Sequence, residues 1–143
     1  MNRLMALLMV AIGLTTGCTR NDGDIGVWFG TWVVESIIRD NTPLTDNDEV
    51  IVMIFQSSVL ETKAINPLGD NYGRFATWHE SDGVMIIDAA SDATEIKGLY
   101  AGLQLPNVDG IRLEILEQTS KRAILQWYSP YGFKLTYKLR KHL

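Results

Sequence analysis

What most constrains this chain is a hydrophobic period of two that keeps returning after residue 29, each time ended by a turn signal. The last instance is the plainest: Phe133, Leu135, Tyr137 and Leu139 alternate with Lys134, Thr136, Lys138 and Arg140. Successive side chains of an extended backbone point to opposite sides, so this pattern makes a strand with a core on one face and water on the other. Gly30 to Arg39 behaves alike, with Trp32, Val34, Ser36 and Ile38 against Thr31, Val33, Glu35 and Ile37. Its aromatic and β-branched content suits a pleated, half-buried surface.

Between these two lie further strands. Val50 to Phe55 is an apolar run without alternation, the mark of a strand covered on both sides, and Gln56-Ser57-Ser58 turns it into the alternating Val59 to Ile65. After Asn66-Pro67-Leu68-Gly69-Asp70-Asn71, the segment Gly73 to His79 pairs with Val84 to Ala89 through Glu80-Ser81-Asp82-Gly83, where Asp-Gly supplies the positive φ of a tight hairpin. Ile111 to Glu117, Arg122 to Ser129 and Phe133 to Arg140 complete the series. Residues 93–101 fit either a helical turn capped by Ser91 or Asp92 or a strand bent at Gly98; we take 90–105 as strand-bearing. About eight strands in sequence order, with short turns and no crossover helix, predict an all-β, up-and-down antiparallel meander. Closing it into a barrel, first strand against last, removes both exposed edges.

The 143 residues amount to one domain behind a distinct N-terminal stretch. Arg3 precedes an uncharged apolar run from Leu4 to Leu14, too short to span a bilayer, and Thr15-Thr16-Gly17 leads into Cys18, the chain's one cysteine. A lone cysteine in an exported protein closes no internal disulfide. Small residues before a cysteine just past an apolar run resemble the lipobox of bacterial lipoproteins, with Thr15 where that pattern places leucine. The resemblance implies removal of residues 1–17, diacylglycerol and fatty acyl (palmitate-type) chains on Cys18, a tether over 18–27, and a barrel over 28–143 in the outer membrane of a Gram-negative envelope, facing the periplasm or the surface. The alternative is an ordinary signal peptide cut near Gly17, leaving an incidental thiol. Asp22 and Asp24 faintly resemble the export tags of surface lipoproteins.

The whole chain carries a formal charge of −4, and loss of Arg3 makes the remainder one charge more acidic. That balance argues against nucleic acid and against electrostatic adhesion to anionic lipid, so attachment falls to the acyl chains.

Gly30-Thr31-Trp32, opening the first strand of an all-β chain, resembles the Gly-x-Trp signature of the lipocalins, and the layout after Trp28 is similar to small lipocalin-like domains of bacterial outer-membrane lipoproteins. The resemblance implies that Trp32 plugs the closed end of the barrel against an arginine from near the last strand. Arg140 is then the expected partner, although its parity faces outward, which keeps Arg122 in view. Gly30, Trp32 and Arg140 take structural roles.

Little in the chain supports catalysis. Its two histidines are His79, at a strand end beside Glu80 and Asp82, and the penultimate His142. No metal-ligand spacing, Gly-x-Ser-x-Gly or phosphate loop occurs, and Asp46, Asp48 and Glu49 lack the glycine and distal glutamate of an EF-hand loop. We therefore expect no enzyme, no cofactor and no metal. Binding remains. An eight-stranded barrel is either filled by side chains or holds one small ligand. Trp78, Phe75, Met53, Met85, Trp127 and Tyr128 are the expected wall residues for a small hydrophobic ligand, and equally suit a solid core. For a protein partner, including protease inhibition, the expected surface is the aromatic turn 127–133 with Tyr131 and Phe133, or the loop 40–48.

Overall fold

The structure, a computed structural model of the protein, describes residues 26–44, 49–69, 71–89, 102–106 and 109–142. Its strands are β1 (Gly30–Arg39), β2 (Thr42–Pro43), β3 (Val50–Phe55), β4 (Val59–Ile65), β5 (Asn71–Ser81), β6 (Val84–Ala89), β7 (Ile111–Gln118), β8 (Arg122–Tyr128) and β9 (Lys134–Lys141). Each long strand pairs antiparallel with its neighbour in the chain, and β1 pairs with both β3 and β9, so eight strands close into a barrel. The short β2 lies against the end of β1, Ile38 opposite Pro43, as an extra strand inside a segment expected to be only a turn.

Turn chemistry fixes the hairpins. Between β5 and β6, Asp82 (φ 51) and Gly83 (φ 75) are both left-handed, the two-residue connection whose twist matches the flanking strands. Ser81 then pairs with Val84, and this register carries Trp78 opposite Ile87. The expected boundaries shift by a residue or two: β5 is longer at both ends, and β9 begins at Lys134 and runs through Lys141.

The alternation expected for the first strand holds only for its first half. A bulge between Val34 and Ser36 inserts a residue, and beyond it Ile37 stands opposite Tyr137, buried, in place of Ser36 and Ile38. A second bulge lies between Ile115 and Glu117, and Leu116 there is exposed. The run in β3 is also less symmetrical than expected. Met53 and Phe55 enter the core, whereas Val50 is exposed and Val52 is buried on the outer face.

Interior positions otherwise follow the period of two. Leu60, Met85, Ile87, Leu113, Leu125, Leu135 and Leu139 are all buried in one cluster. Arg122, Ile124, Lys138 and Arg140 share the opposite, outer face of β8 and β9. Of the segment expected to bear a strand, residues 90–101 lie outside the described residues, and 102–104 form a turn, with Gln104 at φ 61. Cys18, the apolar run and most of the tether also lie outside the described residues.

Candidate functional site: two ends of one barrel

At the end where β1 begins, four aromatic side chains fill the barrel. Trp28 and Trp32 lie 5.4 Å apart, Phe55 is 5.4 Å from Trp28, and Trp78 meets Phe55 edge-on at 4.9 Å. All four are buried, and each indole N–H is satisfied: Trp32 Nε1 donates to Trp28 O at 2.9 Å, Trp28 Nε1 to Glu80 Oε2 at 3.0 Å and Trp78 Nε1 to Gln56 O at 3.0 Å. A buried indole left unpaired would cost a desolvated donor, so these bonds hold the plug in one arrangement. Trp28, expected at the start of the barrel domain, is part of this core.

The expected arginine is absent from the plug. Arg140 points outward and donates from Nε to Glu35 Oε1 at 2.8 Å, and Arg122 sits opposite Arg140 on the same outer face. The cation over Trp32 is Lys141, its Nζ 4.9 Å from the ring centroid. Its ammonium also donates to Val27 O at 3.0 Å and to Phe29 O. Partial burial lowers its pKa from the ordinary lysine value. Gly30 explains the approach: at φ 115 it is left-handed, and a Cβ there would lie 3.2 Å from Lys141 Cε. Parity already contained this assignment, since residue 141 continues the Leu135, Tyr137, Leu139 series and residue 140 does not.

The opposite end is built differently. Here Ile37, Ile87, Ile111, Trp127 and Leu135, at the mouth ends of their strands, are buried in the same core as Leu103 and Leu105 from the segment that precedes β7. Gly102 lets that turn enter: a Cβ on it would lie 3.2 Å from Ile51 Cδ1. The Tyr137 hydroxyl, buried at the centre of this wall, donates to Leu103 O. Burial raises its pKa well above the usual tyrosine range, so the phenol stays a neutral donor. Sequence reasoning missed both Leu103 and Tyr137, because the turn is short and a tyrosine in phase with leucines looks like packing.

Of the expected wall residues, Met53, Met85, Trp78 and Trp127 are interior, but they do not share one pocket: Trp78 belongs to the plug and Trp127 to the mouth. Phe75 and Tyr128 do not line the interior. Phe75 is 59% exposed because the inward positions of β5 are Ala76 and Trp78, and Tyr128 is 58% exposed because β8 turns Ala123, Leu125 and Trp127 inward. The Tyr128 hydroxyl instead donates to Gln126 Oε1 at 2.9 Å on the outer wall.

The aromatic turn is ordered by its own bonds: Ser129 N to Phe133 O at 2.8 Å, Gly132 N to Ser129 O at 3.1 Å and Tyr131 N to Ser129 Oγ at 3.0 Å. Phe133 folds back, edge-on to Trp127 at 6.0 Å, with Arg39 Cζ 3.9 Å above its ring, whereas Tyr131 is 90% exposed. Two shallow grooves flank Tyr128. One, of about 340 Å³, runs past Asp40, Ser129 and Lys134; the other, of about 430 Å³, runs past Pro106, Arg112 and Pro130. His79 is exposed on the outer wall, opposite Ile86.

This is an all-β, closed eight-stranded barrel of lipocalin-like fold with one added strand. The chain is similar to a lipocalin-like protein from Bacteroides uniformis, with a TM-score of 0.65 at 13% identity, over 82% of this chain and all (100%) of that one. It is similar also to an uncharacterized protein from Bacteroides eggerthii, with a TM-score of 0.62 at 17% identity, over 80% of this chain and 99% of that one. No family model and no curated protein matches it. Likeness at this level of identity speaks for the fold, and the site must be argued from the residues.

Proposed function

We propose that the protein is a lipid-anchored envelope lipoprotein whose barrel binds a small hydrophobic ligand at the mouth, by burial and not by covalent chemistry. One observation carries the reading: the Tyr137 hydroxyl is a buried polar group in an apolar wall, and its acceptor is a loop carbonyl, that of Leu103. Such a wall with one convergent donor is how apolar sites fix the orientation of a ligand. A ligand that carries a carbonyl or hydroxyl oxygen on a hydrophobic body takes the place of Leu103, inheriting the bond and the burial. Native mass spectrometry of the protein mixed with a lipid extract tests this. A discrete adduct, weakened by Tyr137→Phe and kept by Tyr131→Ala, supports the mouth as the site, and a folded protein without adducts sinks it.

Anchoring rests on the position of Cys18 after the apolar run. Metabolic labelling with an alkynyl fatty acid checks it: label on the native chain and none on Cys18→Ser is the expected result. Label on neither would show that Cys18 is an incidental thiol.

A second reading has an observation of its own. Tyr131 and Tyr128 are exposed beside the two rim grooves, and exposed aromatics around a turn are enriched where proteins meet partners. In this reading the barrel is filled and the turn 129–133 binds a protein, a protease among the possibilities. Loss of a captured partner on Tyr131→Ala, with ligand adducts unchanged, would favour it.

A further inference from the structure

The barrel wall parts between β7 and β8 as it nears the mouth. Pairing of these strands stops at Glu114 opposite Gln126, although β7 begins at Ile111 and β8 runs on to Tyr128. Each strand keeps its other neighbour: Ile111 stands opposite Ile87 of β6, and Tyr128 opposite Lys134 of β9. The bonds from Ile115 N to Gly83 O at 2.9 Å and from Ser129 N to Phe133 O at 2.8 Å set which way the peptide groups face. By the alternation of an antiparallel ladder, those of Leu113 and Trp127 turn to β6 and β9, and those of Arg112 and Tyr128 face each other across the parting. The groove of about 430 Å³ lies there, with Ile111, Arg112 and Glu114 on one lip and Trp127, Tyr128 and Pro130 on the other.

One buried donor in this groove has no acceptor. Of the four tryptophans, Trp28, Trp32 and Trp78 each donate the indole N–H to a protein oxygen, whereas that of Trp127 has no partner among the described residues. Trp127 is only 7% exposed, and a buried donor left unpaired is costly. The remaining lining is apolar or committed: Ile111, Pro106 and Pro130 carry no polar side-chain atom, and the Tyr128 hydroxyl already donates to Gln126. Charge excludes one class of guest. Arg112 and Glu114 both line the groove, and beside Gly110 stand Asp109 and Asp88, the latter accepting the Gly110 N–H at 2.7 Å. Three acids around one cation disfavour an anion.

We propose that the parting is a lateral binding site for a neutral apolar molecule that carries a carbonyl oxygen, as a ketone, ester or tertiary amide does. The oxygen accepts from Trp127 Nε1, and the apolar body lies against Ile111, Pro106, Pro130 and the ring of Tyr128. Small-molecule sites span about 300–1,000 Å³, and this groove falls within that range. The site goes beyond the one at the mouth, because filling it leaves Leu103 and its bond from Tyr137 in place.

The full chain, labelled at its indole nitrogens and followed by NMR, provides the test, with butyrophenone as the probe. Butylbenzene is the same skeleton without the oxygen, and phenylbutanoate adds an anionic group. The ketone should move the Trp127 indole N–H signal downfield and slow its exchange with solvent, leaving the signals of Trp28, Trp32 and Trp78 in place. Trp127→Phe assigns that signal, and its through-space contacts with Phe133 assign it independently on the native chain. Butylbenzene should bind about fivefold more weakly, the factor of one neutral hydrogen bond, without the downfield shift. Phenylbutanoate should leave the signal where it was. A Trp127 signal that ignores the ketone, or that moves equally with the hydrocarbon or the anion, overturns the site. Tyr137→Phe separates it from the mouth. A shift kept in that variant belongs to the parting, whether or not lipid adducts form at the mouth; a shift lost there puts the ketone at the mouth and overturns the inference.

Discussion

Replacing Lys141 by methionine removes the charge at the plugged end but keeps a side chain of similar length. Three interactions go. The cation over the Trp32 ring, at 4.9 Å, contributes about 1 kcal/mol at a partly solvated site. The bonds to the carbonyls of Val27 and Phe29 contribute about 1 kcal/mol each, since water can reach both carbonyls once the ammonium is gone. The sum is at most about 2–3 kcal/mol, because the desolvation that lowers the ammonium's pKa offsets part of it. For a body between 100 and 150 residues that lowers the melting temperature by no more than roughly 8–12 °C. Arg140→Met is the control. Its ion pair with Glu35 has side chains 50% and 47% exposed, and such pairs contribute about 0.2–1 kcal/mol. Chemical denaturation of the two variants, monitored by tryptophan fluorescence, compares them directly. The plug also makes the loss visible, because Trp28 and Trp32 report their own environment. If Arg140→Met destabilises more than Lys141→Met, the assignment of Lys141 as the cation of the plug is wrong.

Trp78→Gln should cost about 3–5 kcal/mol, measured as a shift in the urea midpoint, because it strips an edge-on partner from Phe55 and leaves a polar group in the plug; a near-normal midpoint would show that the plug is not tightly packed. Tyr137 sets the alkaline limit. Burial raises its pKa above the ordinary 10.0, so the unfolded chain releases this proton first and stability falls by about 1.4 kcal/mol per pH unit above that value. The lowered pKa of Lys141 acts the other way just below 10.5, where the unfolded chain holds more protons and stability rises slightly with pH. Urea midpoints across this range should rise little, then fall, and Tyr137→Phe should flatten the fall. Tyr131→Ala, at a side chain 90% exposed, should move the midpoint by no more than about 0.5 kcal/mol.

The sheet was legible because most of the long strands carry their own period and end in a turn signal. The Asp82-Gly83 hairpin shows this well: two residues that tolerate positive φ determine the register of β5 on β6. Bulges are where such logic fails. Nothing in Val34-Glu35-Ser36 announces an inserted residue, and the insertion moves Ile37 inward in place of its neighbours. At Phe75 and Tyr128 size misleads: their bulk suggests wall residues, whereas parity counted from Trp78 and Trp127 puts both outside. The mouth was the least legible part, because Leu103 is placed by the approach of Gly102 to Ile51 and by the Tyr137 hydroxyl, two contacts remote in the chain.

The occupied mouth limits what the proposed site can bind. Leu103 already rests there, and a ligand that replaces it forfeits the burial of a leucine, about 1.5–3 kcal/mol. Association itself costs at least about 4 kcal/mol, and a micromolar complex requires about 8 kcal/mol net. The ligand must therefore recover about 15 kcal/mol. The bond to Tyr137 only replaces the one given up by Leu103, so nearly all of it must come from apolar burial. At about 25 cal/mol per Å² that is on the order of 600 Å². Small aromatic metabolites fall short of this area, whereas long acyl chains and polycyclic hydrophobes reach it. Affinity should accordingly rise steeply along a series of fatty acids of increasing length, read as adduct intensity in native mass spectra. A series in which short and long chains bind alike would show that the mouth does not work by displacing Leu103.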